Sequence, residues 1–147
     1  MLSQHAHRLI QLGVVLLLLG LLTGVAVPVL AVPRLAVSAH IVGVLGGLAL
    51  IILGLVWPQL QVGPGTSRLG YSLALYSIYV GWFMPLLGGV WQAGGTMFPL
   101  AVGATRGTAF QEGVIATGLF TGAVAVIALC VLLLWGLRGP APSGGQR

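Results

Sequence analysis

Apolar residues fall in four long blocks along this chain, and the polar residues collect between them. The stretches at roughly 9–31, 35–57, 69–91 and 110–137 each reach the ~20 residues needed to cross a hydrocarbon core. Each connector carries helix-breaking punctuation: Pro28 and Pro33, then "WPQLQVGPGTSR" with Pro58 and Pro64, then "GGTMFPLAVGATRGT". Lipid leaves no partner for an open backbone, so the spans are expected as helices. The pattern predicts an all-α, integral membrane four-helix bundle forming one domain over residues 1–137. The Pro/Gly/Ser-rich end, "RGPAPSGGQR" at 138–147, is expected to be a disordered tail. "VLA" before Val32 has the look of a signal-peptide cleavage site, but the first apolar core exceeds the ~7–15 residues of a secretory segment. An uncleaved first helix is expected.

Composition agrees with a membrane setting. Hydrophobic residues make up 58% of the chain and charged ones 5%, with a mean hydropathy of +1.10; a soluble domain would be about a quarter charged. The net charge of +5 comes from six arginines against one acid. Those arginines are scattered among the connectors, so they mark topology and do not form a nucleic-acid patch. Arg8, Arg68, Arg138 and Arg147 lie on one side and Arg34 and Arg106 on the other. The positive-inside bias then predicts a multi-pass protein of the cell inner membrane with both termini cytoplasmic. Membrane lipid is the expected surrounding and nucleic acid is not a partner. Cys130 stands alone in the sequence, which excludes an intrachain disulfide and a thiolate zinc site. No ring of like charges or hydrophilic helix face suggests an ion channel.

Within the second span, His40, Gly43, Gly47, Leu50, Gly54 and Trp57 recur at steps of three and four, a continuous helical stripe. Gly20/Gly24, Gly43/Gly47 and Gly118/Gly122 each have the small-xxx-small spacing that lets helices approach closely. An ionisable residue inside a span marks a functional site by default. The competing reading makes His40 a packing residue bonded to a neighbouring carbonyl. Glu112, the only acid, follows Thr108 and Gln111, whose spacing predicts a capping box. It either works chemically, complements the helix dipole or pairs with Arg106.

His40 lies six residues after Arg34, and Glu112 six after Arg106, on helices entering from the same side. Equal offsets predict similar depth, and hence a His–Glu acid/base cluster flanked by two arginines. His5 and His7 begin on the opposite side and read as interfacial. A bis-histidine haem within a single straight bundle is therefore not expected, while His40 alone as an axial ligand stays open. In the third span, Ser72, Tyr76, Tyr79 and Phe83 share a face beside Trp82. Tyrosine hydroxyls at mid-span need partners, so this face is expected to point inward and could hold a flat aromatic ligand. Aromatic packing with an interfacial belt of Trp57, Tyr71 and Trp91 is the other reading. Pro85 is expected to loosen this helix. No nucleophile elbow, phosphate loop, dinucleotide fingerprint or HExxH occurs.

The segments "HRLIQLGVVLLLLGLLTGVAVP", "PRLAVSAHIVGVLGGLALIILGLVWPQL", "LALYSIYVGW", "WQAGG" and "FQEGVI" together resemble the hydroxylaminobenzene mutase family of small bacterial membrane proteins. "HRL", "PRL", the histidine six residues beyond that arginine and "QEG" are the specific parts. The resemblance implies an isomerase that rearranges arylhydroxylamines to ortho-aminophenols by moving the hydroxyl within one molecule, in nitroarene (nitrobenzene) degradation. One departure stands out: where relatives read "HLEG…NG", this chain has "HIVGVLGG", with Val42 and Gly46 in place of an acid and an amide. The roles implied are proton delivery by His40 or Glu112, positioning by Arg34 and Arg106, and ring contact by Tyr76, Tyr79 and Phe83. The sequence requires no cofactor, although a haem or metal at His40 could serve as the electrophile. So many glycines on four helices suggest a homo-oligomer. The alternatives are a non-catalytic membrane accessory or sensor protein, and a haem-binding electron-transfer subunit.

Overall fold

Proline and threonine set the starts of the helices. The computed structural model describes residues 4–102 and 106–138, so nearly all of the terminal "RGPAPSGGQR" lies outside the described residues. Helix α1 covers Gln4–Ala26, α2 Pro33–Val56, α3 Pro64–Trp91, α4 Pro99–Val102 and α5 Ala109–Gly136. Prolines open α2 and α3 at the first helical position, where a missing N–H costs nothing. Thr108 caps α5, with its side chain and that of Gln111 exchanging bonds with each other's backbone N–H. Short 3₁₀ turns at Val27–Val29 and Trp57–Gln59 close the ends of α1 and α2. Helix α3 runs on through Pro85 to Trp91. Four helices are long and apolar enough to cross a membrane, and no strand occurs among the described residues.

Glycine decides how the spans pack. A Cβ added to Gly47 would lie 2.6 Å from the Leu17 nitrogen and 2.7 Å from the Gly13 oxygen. One added to Gly20 would lie 2.7 Å from Gly43 backbone, and one on Gly54 2.7 Å from the Ala6 oxygen. The α1 and α2 backbones therefore touch along their length, through the stripe that the sequence spacing singled out. Leu9, Leu16, Leu50 and Trp57 fill the space beside that seam, with Ala74 of α3 and Leu129 of α5. His5 stacks against Tyr71 at 4.9 Å between ring centroids, and Trp57 Nε1 donates to Ser67 Oγ, pinning α3 at the same end.

The fourth long helix joins differently. Among the described residues the α5 backbone runs close to that of α3 and not to those of α1 or α2, while its Leu129 side chain joins the shared core. Gly118 and Gly122 face Met84 and Val80 of α3. Because the α2 and α5 backbones flank α3 without meeting, a groove of about 410 Å³ opens between them, lined by small residues that include Gly46, Ala49, Gly81 and Gly122.

Close approach along the seam makes a definite forecast. Gly47→Ala should destabilise the protein by about 1–3 kcal/mol, the usual cost of overpacking. Gly65→Ala, whose added carbon meets nothing within 4 Å, should leave stability unchanged. Thermal unfolding in detergent, followed by circular dichroism, checks the pair.

Candidate functional site

Two polar centres stand out in this apolar chain. The first surrounds His40, half-buried on the α1 side of α2. Its Nδ1 lies 2.8 Å from the Gly20 carbonyl oxygen. A carbonyl only accepts, so Nδ1 carries the proton, and in the neutral ring the lone pair is left on Nε2. The ring fits because Gly24 has no side chain: a Cβ there would lie 2.6 Å from Nδ1. The Gly20/Gly24 pair thus supplies both the acceptor and the room. One turn along α2, Gly43 receives the Trp82 indole, whose Nε1 donates to Thr23 Oγ1 at 3.3 Å. Thr23 in turn donates to the Leu19 carbonyl at 2.8 Å. Thr23 escaped the sequence reading; the signal was a lone hydroxyl in an apolar run, set between Gly20 and Gly24.

The second centre is Glu112. After α3, Gln92 and Gly94 take positive φ values of 54° and 103°. The turn they make lines up consecutive backbone amides, the geometry of an anion-binding nest. Glu112 fills it. Oε1 accepts from the N–H groups of Gly94, Gly95 and Gly107 at 2.8–3.1 Å, and Oε2 from Thr96 at 3.0 Å. Among the described residues four donors and no acceptor converge on it, the environment that an ionised, acceptor-only carboxylate satisfies. Glu112 therefore binds its own connector, not Arg106, which is exposed.

Other expected residues are distributed around these centres. Arg34 Nη1 donates to the Leu100 carbonyl at 3.0 Å and straps α2 to α4. Beneath that strap Val32, Leu35 and Val102 form a small core with Phe98. Tyr79 donates to the Leu12 carbonyl of α1 at 2.9 Å. Tyr76 meets Thr121 of α5 at 2.7 Å. Their shared face turns inward only in part: Tyr79 packs on the core, but Ser72, Tyr76 and Phe83 are exposed, contrary to expectation, the last two at 45% each. The hydroxyls find partners by reaching sideways, to α1 and α5, so the face itself need not be covered.

Nor do His40 and Glu112 meet. Equal offsets from the arginines do not translate into equal depth, because Arg34 is already the second residue of α2 whereas Arg106 precedes α5. His40 sits ~10 Å along its helix and Glu112 ~5 Å along its own, on two helices whose backbones do not approach each other. Among the described residues no group of three His, Cys, Asp or Glu could hold a metal ion. His40 offers one ring nitrogen, Nε2, beyond its bond to Gly20.

Comparison with known proteins adds the following. The styrene oxide isomerase family profile matches residues 5–138. Hydroxylaminobenzene mutase HabB of Ectopseudomonas oleovorans is 49% identical over 133 residues, covering 90% of this chain and 81% of that protein. Hydroxylaminobenzene mutase HabA of the same organism is 38% identical over 125 residues, covering 85% and 93%. No solved structure gives a significant match.

The nest can be tested apart from activity. In Glu112→Gln one acceptor oxygen becomes an NH₂ donor facing amide donors. Backbone amides at Gly94, Gly95, Thr96 and Gly107 should then exchange with solvent about tenfold faster or more, while the α1–α2 seam is unaffected. Hydrogen–deuterium exchange resolved by peptide reads this directly.

Proposed function

Since the chain belongs to the styrene oxide isomerase family, alongside relatives named hydroxylaminobenzene mutases, we propose that it is a membrane isomerase converting hydroxylaminobenzene-type arylhydroxylamines to ortho-aminophenols. The N–O bond breaks, a C–O bond forms at the ortho carbon, and the proton lost from that carbon is balanced by one gained at nitrogen. No oxidant or reductant is consumed. The two names share one chemical demand. Opening an epoxide and cleaving N–O both require an electrophile on the departing oxygen and stabilisation of the cation left beside an aromatic ring.

The observation that carries this reading is His40 held by Gly20. Its orientation is fixed through Nδ1, and Nε2 is left to exchange a proton or to bind an electrophilic centre, in an apolar span whose other ionisable residue, Arg34, lies at the helix start. We assign His40 the contact with the reacting oxygen. Trp82 and Tyr79 supply nearby aromatic surface that favours a developing cation. Glu112 is a positioning residue in this scheme, its oxygens being engaged by four amides, and Arg34 holds the same connector through Leu100. Arg106, Tyr76 and Phe83 lie at the periphery, where they meet the substrate on its way in or out. The setting we infer is the inner membrane, with cytoplasmic termini, in a homo-oligomer and within nitroarene breakdown.

A second reading follows from the same geometry. Ligating histidines commonly donate their other ring N–H to a carbonyl, and His40 does so. Haem iron at Nε2 would then be the electrophile in place of a proton.

Incubation of the purified protein with hydroxylaminobenzene should yield 2-aminophenol above a heat-killed control, measured by chromatography. His40→Ala should cut turnover by about a hundredfold or more in a folded variant. Absence of product from folded, cofactor-replete protein would rule out this substrate. A Soret band in the wild type that is missing from His40→Ala would assign the iron-based electrophile.

A further inference from the structure

On the face of α3 and α5 turned away from the small-residue groove lies a second cavity of about 540 Å³. Its walls are Tyr76 of α3 and, from α5, Phe110, Gly113, Thr117, Gly118 and Thr121, with Ala109 and Val114 at its margins. That volume falls within the ~300–1,000 Å³ typical of small-molecule sites. No residue of α1 or α2 contributes, so the cleft is separate from His40.

The chemistry of the walls is unusual for a surface facing hydrocarbon. Tyr76 and Thr121 each sit ~18 Å along antiparallel helices of 28 residues, near mid-bilayer. There an uncompensated hydroxyl is costly. Thr121 Oγ1 lies 2.8 Å from the Thr117 carbonyl and 3.1 Å from the Gly118 carbonyl, so all these bonds are satisfied together when Thr121 donates to a carbonyl and accepts from the Tyr76 hydroxyl. In that arrangement the Tyr76 oxygen, on a residue that lines the cleft, keeps capacity to accept. Phe110, at 74% exposure, supplies a ring at one end. Gly113 keeps the wall flat: a side chain there would meet nothing within 4 Å and would project into the open volume.

We propose that this cleft is a bilayer-side capture site for a monocyclic aromatic carrying a small hydrogen-bond donor, such as a hydroxyl, hydroxylamino or amino group. The ring lies over Gly113 against Phe110, and the donor reaches the Tyr76 oxygen. This deepens the mutase reading and rests on it for the identity of the natural ligand. An arylhydroxylamine and an aminophenol both partition toward lipid and both carry such a donor. The cleft concentrates them at the protein from the membrane phase, apart from the centre where bonds change.

The test uses the full chain in nanodiscs, with 4-fluorophenol as an unreactive probe followed by ¹⁹F line broadening, and empty nanodiscs as the reference. Wild type should bind saturably. Gly113→Leu, whose added Cβ meets nothing within 4 Å and whose side chain extends into the cleft, should weaken binding tenfold or more. Thr121→Val, which removes Tyr76's acceptor but keeps its shape, should change affinity several-fold. The Gly65→Leu control, at the far end of α3, should bind as wild type. Wild-type binding no different from empty nanodiscs, or equal affinity in wild type and Gly113→Leu, overturns the proposal. So does a change of oligomer mass in Gly113→Leu with affinity unchanged, since the cleft would then be an interface between copies. Hydroxylaminobenzene turnover measured on the same samples separates the two claims. Probe binding lost in Gly113→Leu without any wild-type turnover leaves the cleft standing and removes the mutase reading; turnover without saturable probe binding does the reverse.

Discussion

The backbone-to-backbone contact of α1 with α2 is the constraint on which the other features rest. Hydrophobic burial does little to join helices whose alternative is lipid as apolar as they are, so close packing must do it. Gly20, Gly43, Gly47 and Gly54 remove the side chains that would hold the two backbones apart. The same omission at Gly20 and Gly24 exposes a carbonyl and a hollow, and His40 takes both. Packing and chemistry thus draw on one set of glycines. A histidine placed there inherits the rigidity of the seam, and its tautomer is fixed by a backbone atom that no side-chain substitution can remove.

At the ends of the helices the problem is reversed, because the connectors carry polar backbone that the membrane does not welcome. The chain spends its only acid on one of them. Glu112 gathers amides from two segments of the α3–α5 connector, while Arg34 reaches the carbonyl of Leu100 between them. Anion and cation each hold backbone of the opposite polarity, so the charges are settled without an ion pair between them.

Much of this was legible in the sequence, for reasons that can be named. Four apolar runs gave four helices because lipid allows no other open-ended element. The three-four stripe from His40 to Trp57 marked the seam because glycine at Gly43, Gly47 and Gly54 recurs on the face that meets another backbone. The capping box at Thr108 and Gln111 is local chemistry and reads directly. Depth did not read correctly, since an arginine can precede a helix, as Arg106 does, or lie within it, as Arg34 does, and the offsets to His40 and Glu112 then mean different things. Nor did the orientation of Tyr76 and Phe83. Hydroxyls demand partners, but a tyrosine is long enough to find one on a neighbouring helix while its ring stays outside. The nest that captures Glu112 depends on backbone torsions at Gln92 and Gly94, on which residue spacing is silent.

The packing of α5 on α3 has a corollary for the spaces on either side of it. The small-residue groove and the hydroxyl-lined cleft lie on opposite faces of the α3–α5 contact. Both spaces therefore share walls from the same two helices, and the α3–α5 contact sets the shape of each. A substitution that alters how α5 seats on α3 reshapes two surfaces at once.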